Sequence, residues 1–150
     1  MSQQNMPTPQ EALSAFKAEK YNEALQMYER LLERNNRDQT YNYYYGVSLF
    51  KLNKNQDEAI QRLRLAAARP PSQDVHFYLG QLYQRAFELD LAITHYERFL
   101  AQQRTENEMT KTAKRAIEDC KASRNIINKY FDIKIIRKDT IPKDQLLNYY

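Results

Sequence analysis

Apolar residues recur at the spacing of an α-helix in three separate stretches of the chain. In the third stretch they fall at positions i, i+1, i+4, i+7 and i+8, which is one stripe along a helix. The members of this stripe are Ala92, Ile93, Tyr96, Phe99 and Leu100. The first stretch has the same stripe, made of Ala24, Leu25, Tyr28, Leu31 and Leu32. The pattern predicts amphipathic helices that each bury one face.

The interval between these stretches is nearly constant. The alanines that begin them, Ala24, Ala59 and Ala92, recur at about 34 residues, which we call the repeat period. The only two glycines of the chain, Gly46 and Gly80, are also one repeat period apart, each before one of these stretches. Glycine inside a helix costs about 1 kcal/mol relative to alanine, so its use at two equivalent places indicates a structural need. We expect the two helices of a pair to pack closest at the glycines.

Polar breaks divide the chain into units. Short breaks at 20–22, 53–57 and 88–90 separate the helices of a pair, and longer breaks at 33–38 and 68–74 separate the pairs. The predicted boundaries are a disordered segment at 1–7, repeats at about 8–37, 38–72 and 73–104, and a capping helix at 105–129. A capping helix with one polar face closes the exposed core of a repeat array. From Tyr130 to Ile136 the pattern changes to alternation, which predicts a strand within an extended tail or linker at 130–150.

These features resemble the tetratricopeptide repeat, a helix pair with a period of about 34 residues. The stretch Leu79-Gly80-Gln81-Leu82-Tyr83 matches the Leu-Gly-x-x-Tyr pattern of that family, and Tyr45-Gly46-Val47-Ser48-Leu49 is a near match. The first repeat has no glycine, and Ala12 or Ala15 takes its place. The resemblance covers about residues 8–104 and implies an all-α fold. That fold is a right-handed α-solenoid of three helix-turn-helix pairs with a capping helix and a short extended tail.

The C-terminal tail carries a second, shorter resemblance. Residues 141–150, IPKDQLLNYY, are similar to the junction in envelope proteins of the Bacteroidetes group, where tetratricopeptide repeats precede a β-propeller. This resemblance implies the N-terminal module of a larger envelope protein, periplasmic or associated with the outer membrane. Without it, a cytoplasmic location is expected.

Composition and charge narrow the classes of partner. The chain has 150 residues, 42% of them hydrophobic and 28% charged, which suits one globular domain. Residues 111–150 hold 10 basic and 5 acidic side chains, an excess of five positive charges. Such an excess is typical of a solvated helix face, and nucleic-acid binding by this region is a third, less favoured alternative. No apolar run approaches the roughly 20 residues of a membrane span.

The sequence offers no catalytic pattern. Neither His76 nor His95 has a nucleophile or a carboxylate at a recognisable spacing, and together with Cys120 they show no metal-ligand spacing. Cys120 lies on the apolar stripe of the capping helix, which indicates a core residue. We therefore predict no enzyme, no cofactor, no metal and no small-molecule substrate.

The abundant tyrosines suggest a binding surface. The first helices of a tetratricopeptide array line its concave face, and residues three or four apart share one face of a helix. Tyr45, Gly46 and Leu49 are expected to point between the helices. The predicted groove residues are then Tyr43, Tyr44, Val47 and Lys51 in repeat two, and Phe77, Tyr78, Gln81 and Arg85 in repeat three. Aromatic rings with polar tips next to cations predict a peptide or protein ligand.

Two other interpretations of the groove stay open. The tyrosines can pack within the array, which would make the chain a structural module that packs on a following domain or associates with itself. Some relatives by resemblance clamp a terminal carboxylate with Lys and Asn on the first helices. The matching positions here are Tyr and Val in repeat two and Phe and Gln in repeat three, so the resemblance does not imply that clamp.

Overall fold

The computed structural model describes the backbone of residues 5–139 and the side chains of residues 5–132. This part of the chain contains seven α-helices and no strand. The helices are α1 (Pro9–Lys17), α2 (Tyr21–Arg34), α3 (Gln39–Lys51), α4 (Gln56–Ala66), α5 (Asp74–Arg85), α6 (Leu89–Ala101) and α7 (Glu108–Asp139). The all-α fold is therefore confirmed.

Polar side chains fix where several helices begin. At α1, Thr8 Oγ1 accepts from the Glu11 amide at 3.1 Å while the Glu11 carboxylate accepts from the Thr8 amide, which is a capping box. At α3, Asp38 Oδ1 accepts from the Tyr41 amide at 2.9 Å. These bonds satisfy amide groups that have no partner inside the helix.

The helices stack as antiparallel pairs. Each helix packs on the one before it, and the first helices of successive pairs also touch, since α1 contacts α3 and α3 contacts α5. The alanines that begin the second helices, Ala24, Ala59 and Ala92, are fully buried between the layers. The result is a solenoid in which α1, α3 and α5 lie side by side on one face.

The glycines lie where the paired helices cross. A Cβ atom on Gly46 would lie 2.8 Å from Leu63 Cγ, and one on Gly80 would lie 2.8 Å from Tyr96 Cδ1. Both distances are shorter than real carbon contacts. In repeat one, the fully buried Ala12 occupies the equivalent place. The predicted close packing at the glycines is confirmed.

The turns inside the pairs use no glycine. Each has a residue with a left-handed backbone at the same place of the repeat, namely Glu19 (φ 59°), Asn53 (φ 52°) and Phe87 (φ 58°). The turn of repeat two has a second such residue, Asn55 (φ 36°). A side chain in this backbone region strains the turn, least for asparagine and most for bulky residues. Glycine is thus reserved for the helix crossings.

The prediction of a strand at Tyr130–Ile136 is wrong, because α7 continues as a helix to Asp139. A lone strand would leave its amide and carbonyl groups without partners, whereas adding turns to an existing helix pairs them without a new nucleation step. The first half of α7 does cap the array, with Ala113, Ile117 and Cys120 buried. Residues 140–150, the rest of the predicted tail, lie outside the described residues.

The N-terminal segment differs from its prediction at the residues that are described. Pro7 is buried, and the carbonyl oxygen of Asn5 accepts a hydrogen bond from Arg30 Nη1 at 3.3 Å. This part of the segment therefore packs on α2. Residues 1–4 lie outside the description. Among the described helices, none is both long and apolar enough to cross a membrane.

Candidate functional site

The face made by α1, α3 and α5 carries two aromatic contacts between neighbouring first helices. The Phe16 and Tyr44 ring centroids are 4.7 Å apart, and those of Phe50 and Tyr78 are 5.2 Å apart. Both phenylalanines and both tyrosines are half-buried. The second contact is the first one shifted by one repeat period. We call these two contacts the seams, and the face that contains them the groove.

Buried rings behind the seams hold the two tyrosines in place. Tyr44 stacks on the buried Tyr28 at 5.4 Å and meets Tyr43 edge to face at 5.0 Å. Tyr78 meets the buried Phe77 at 5.8 Å. Aromatic pairs in these geometries add about 0.5–1.5 kcal/mol beyond their burial. The seam tyrosines are therefore fixed before any ligand arrives.

The eight predicted groove residues divide into two sets by depth. Val47 is 0% exposed, and Tyr43 and Phe77 are also buried, so these three form the floor of the groove and are not open to a ligand. Phe77 is covered by the Tyr96 and Phe99 rings of α6, whose centroids are 6.1 Å and 5.3 Å from its own. The remaining five stay accessible: Tyr44, Tyr78 and Gln81 are half-buried, and Lys51 and Arg85 are exposed. The helical period predicted which face of each helix these residues share, but not their depth.

Sequence reasoning missed Phe16 and Phe50, which form half of each seam. Phe16 also touches Tyr21 at 5.5 Å, which extends the aromatic surface to the start of α2. A signal for them existed, because Phe16 and Phe50 are one repeat period apart and each precedes its seam tyrosine by the same number of positions.

Two cations lie over the second seam. Lys51 Nζ, from α3, is 5.7 Å from the centroid of the Tyr78 ring on α5. Arg85, from α5, places its guanidinium carbon 4.5 Å from the centroid of the Phe50 ring on α3. Each cation thus reaches across to the other helix. Such cation–π contacts contribute about 0.5–1 kcal/mol at exposed sites.

The groove phenols stay protonated near neutral pH. Burial, with a smaller contribution from the Asp74 carboxylate, raises the pKa of Tyr78 to about 12. Burial also raises the pKa of Tyr44 and of Tyr43. The accessible hydroxyls are therefore neutral groups that can donate and accept hydrogen bonds.

Polar side chains link the first helix to the second helix in repeats two and three. In repeat two, Arg62 Nη1 donates to Asn42 Oδ1 at 3.2 Å, and the Asn42 amide donates to the carbonyl of Asp38 at 2.8 Å. In repeat three, the Nδ1 atoms of His76 and His95 are 3.1 Å apart, so one ring donates to the other. Asn42 and His76 are one repeat period apart, and Arg62 and His95 are one position short of a period apart.

The histidine pair is a structural link without a catalytic partner in the described part of the chain. Burial, together with His76, Arg98 and Arg64, lowers the pKa of His95 to about 4. Burial and Arg98 also lower the pKa of His76. Within the described residues, no group of three or more His, Cys, Asp or Glu side chains could hold a metal ion.

Comparisons with known proteins agree with this architecture. Tetratricopeptide repeat models match residues 10–74 and residues 74–105. A solved structure of the first tetratricopeptide repeat domain of Spaghetti (RPAP3), bound to the HSP90 peptide SRMEEVD, is similar to this chain with a TM-score of 0.62 and 21% identity. That match covers 73% of this chain and 87% of the other. No curated protein matches. The paired helices, the repeat period and these matches show that the chain belongs to the tetratricopeptide repeat family.

Proposed function

We propose that this chain is a non-enzymatic interaction module that binds a peptide or protein segment along the groove. The observation that carries the proposal is the pair of seams, where Phe16–Tyr44 and Phe50–Tyr78 repeat one aromatic contact on the same face. Rings that are already fixed by their neighbours lose little conformational freedom when a ligand binds. Their half-buried edges offer apolar contact while their hydroxyls offer hydrogen bonds.

The structural comparison supports the same class of ligand. The domain of Spaghetti (RPAP3), which shares this fold, is bound to a peptide. At 21% identity the likeness concerns the fold, so the residues that would contact a ligand here are argued from this chain alone.

The test is selection of peptides from a random dodecapeptide display library, with affinities of the selected peptides measured by fluorescence polarisation. We expect the Tyr44→Ala, Tyr78→Ala double variant to bind at least tenfold more weakly, because it removes one ring from each seam. Tyr130→Ala, on the exposed part of α7, is the matched control and should bind as the original chain does. Circular dichroism and thermal unfolding must agree between the variants. Unchanged affinity in the double variant, or no selected peptide, would refute the proposal.

A structural role is the second candidate, and the far end of α7 favours it. Beyond Arg124 this helix exposes Ile126, Ile127, Tyr130 and Phe131. Phe87, in the turn before α6, is 79% exposed. Such apolar side chains would be buried by a further domain or by a second copy of the chain. Sedimentation equilibrium tests whether a second copy covers this surface. If the chain associates through α7, the original chain should form a dimer and the Ile126→Ser, Phe131→Ser variant should be a monomer.

Nucleic-acid binding by the basic C-terminal region gains little from the structure. Lys111, Lys114, Lys121 and Arg124 each form an ion pair with a carboxylate of the same chain. These pairs reduce the charge that the described part of α7 can offer to phosphates. The envelope location depends on residues 141–150, outside the described residues, and stays a prediction.

A further inference from the structure

The first helices all end on a cation. Lys17, Lys51 and Arg85 are the last residues of α1, α3 and α5, and neighbours in this set are one repeat period apart. All three are exposed. Because α1, α3 and α5 lie side by side, the three cations form a row along one edge of the groove. We call this set the cation row.

No carboxylate of the described residues lies within 4.0 Å of the side-chain nitrogens of the cation row. By contrast, Arg62 and Arg124 on other surfaces hold Glu58 and Asp90. Lys51 and Arg85 instead lie over the rings of the second seam. A ring does not neutralise the charge of a cation, so these two side chains keep their charge for a ligand.

Other charges near the groove leave this edge basic. Asp74 is the first residue of α5 and so lies at the opposite end of that helix from Arg85. Glu19 and Glu88 lie in the turns that follow α1 and α5 and form no ion pair with the row. A cation in the last turn also offsets the helix dipole, but that role does not require a place over a ring of the next helix.

The spacing of the row fits an extended chain. Helices in contact lie roughly 8–10 Å apart, and an extended chain advances about 3.3 Å per residue, so neighbouring cations are separated by about three residues of such a chain. We infer that the ligand is an acidic peptide segment that runs along the row with a carboxylate at about every third residue. Its intervening apolar or aromatic side chains contact the seams. This inference rests on the proposed function and names the chemistry of its ligand.

A peptide fits this surface better than a single-stranded nucleic acid. Bases bind by stacking on open ring faces. In the seams the rings meet at 65° and 58° and are half-buried, and the Phe50 and Tyr78 rings already carry Arg85 and Lys51. The surface therefore presents edges, hydroxyls and cations, which suit carboxylates and aromatic side chains.

The first measurement uses a defined probe. A fluorescein-labelled peptide of four Glu-Ser-Tyr units, blocked at both ends so that it has no terminal carboxylate, is compared with its Gln-Ser-Tyr counterpart by fluorescence polarisation. We expect the acidic peptide to bind at least tenfold more tightly at low salt. The difference should shrink as salt is added, because exposed charges are screened.

The second measurement assigns the binding to the cation row. In the variant Lys17→Glu, Lys51→Glu, Arg85→Glu, affinity for the acidic peptide should fall at least tenfold. The matched control is Arg37→Glu, Arg69→Glu, Arg104→Glu, which makes the same charge change at exposed positions between the repeats and should stay within threefold of the original. The milder Lys51→Gln, Arg85→Gln variant serves if the reversal disturbs the circular dichroism spectrum.

The outcomes separate this inference from the proposed function. If both peptides bind equally and Tyr44→Ala, Tyr78→Ala abolishes both, the groove binds peptides but the acidic preference is refuted. If neither peptide binds and display selects none, both ideas are refuted. Tighter binding of a labelled oligouridine of the same length, with the same dependence on the cation row, would overturn the choice of a peptide.

Discussion

Repeats two and three join their helices at equivalent positions with different chemistry. Asn42 and Arg62 meet at 3.2 Å in repeat two, where His76 and His95 meet at 3.1 Å in repeat three. The first link joins a carboxamide to a guanidinium, whereas the second joins two imidazoles. The hydrogen bond between the imidazoles requires at least one neutral ring, because a ring nitrogen must accept it. The same two places are therefore joined by a polar contact in repeats two and three, while the residues that join them differ.

The helix crossings show the same contrast. Gly46 faces the branched side chain of Leu63, and Gly80 faces the ring of Tyr96. Both side chains are fully buried, but Tyr96 is also held by its hydroxyl, which donates to Gln84 Oε1 at 2.8 Å, whereas a leucine side chain has no such bond. Repeat three should therefore tolerate change at its crossing less well than repeat two.

The largest expected effect tests that difference at the crossings. Gly80→Leu should lower the free energy of unfolding by about 3 kcal/mol, because the added side chain must displace the Tyr96 ring. Gly80→Ala should cost more than Gly46→Ala, although both gain about 1 kcal/mol of helix propensity. Urea unfolding followed by circular dichroism measures both. An equal free energy of unfolding for the two alanine variants would contradict the expected difference between the two helix crossings.

Removal of the repeat-two link comes next. Asn42→Ala removes a fully buried side chain, its two donated bonds to the carbonyls of Asn36 and Asp38, and its bond from Arg62. Arg62 keeps its ion pair with Glu58. The loss of these three hydrogen bonds should lower the free energy of unfolding by about 2 kcal/mol. Thr40→Ala, at an exposed position on the same helix, is the control and should change thermal stability little. Unchanged stability of Asn42→Ala would contradict the assignment of this link.

The repeat-three link should make stability fall in acid. The pKa of His95 in the folded chain is about 4, below its ordinary value of 6.5, and the pKa of His76 is lowered as well. The unfolded chain then binds more protons, so stability is lost as pH falls from about 6.5 towards 4. We expect a loss of about 1–2 kcal/mol by pH 5.

The variant His76→Asn, His95→Gln keeps a polar link that does not titrate. Its urea midpoint should fall less than that of the original chain between pH 7 and pH 5. Arg64 and Arg98, which help to lower the pKa of His95, stay in place in the variant, so the variant removes only the two imidazoles. Parallel midpoints across this range would show that other groups cause the acid sensitivity.

The smallest effect concerns the turns, where Asn53 in repeat two corresponds to Phe87 in repeat three. Phe87→Asn should raise stability by about 1 kcal/mol, since asparagine tolerates the left-handed backbone better than a bulky residue. Phe87→Ala removes the exposed ring without favouring the left-handed backbone. Its melting temperature therefore separates the effect of removing the ring from the effect of relieving backbone strain. No gain from asparagine over alanine would mean that the turn is not strained.

The fold was predictable from the sequence because its signals are periodic. Gly46 and Gly80 identified the helix crossings from their spacing alone, and the structure confirms the contacts with Leu63 and Tyr96. The strand predicted at Tyr130–Ile136 failed because Tyr130 and Phe131 also continue a helical spacing that begins at Ile126 and Ile127. No neighbouring strand exists among the described residues to decide otherwise.

The groove was predictable only in part, because depth depends on neighbours that are distant in sequence. Val47 is fully buried although its spacing on α3 matches that of the accessible Tyr44 and Lys51, a difference that one helix pattern cannot show. The contact between His76 and His95 was not predicted, because the two residues lie on different helices and the pattern within one helix does not show which residues of another helix it meets. Alignment of the repeats would have revealed it, since Asn42 and Arg62 occupy the same two places.

In the proposed mode of binding, the length of the bound segment follows from the number of helix pairs rather than from any single side chain. Each helix pair contributes one first helix, and each first helix adds one cation and one aromatic step at the same interval. The length of the proposed ligand segment would therefore increase by a fixed number of residues with each helix pair. Insertion of one further repeat between repeats two and three would lengthen the recognised segment by about three residues.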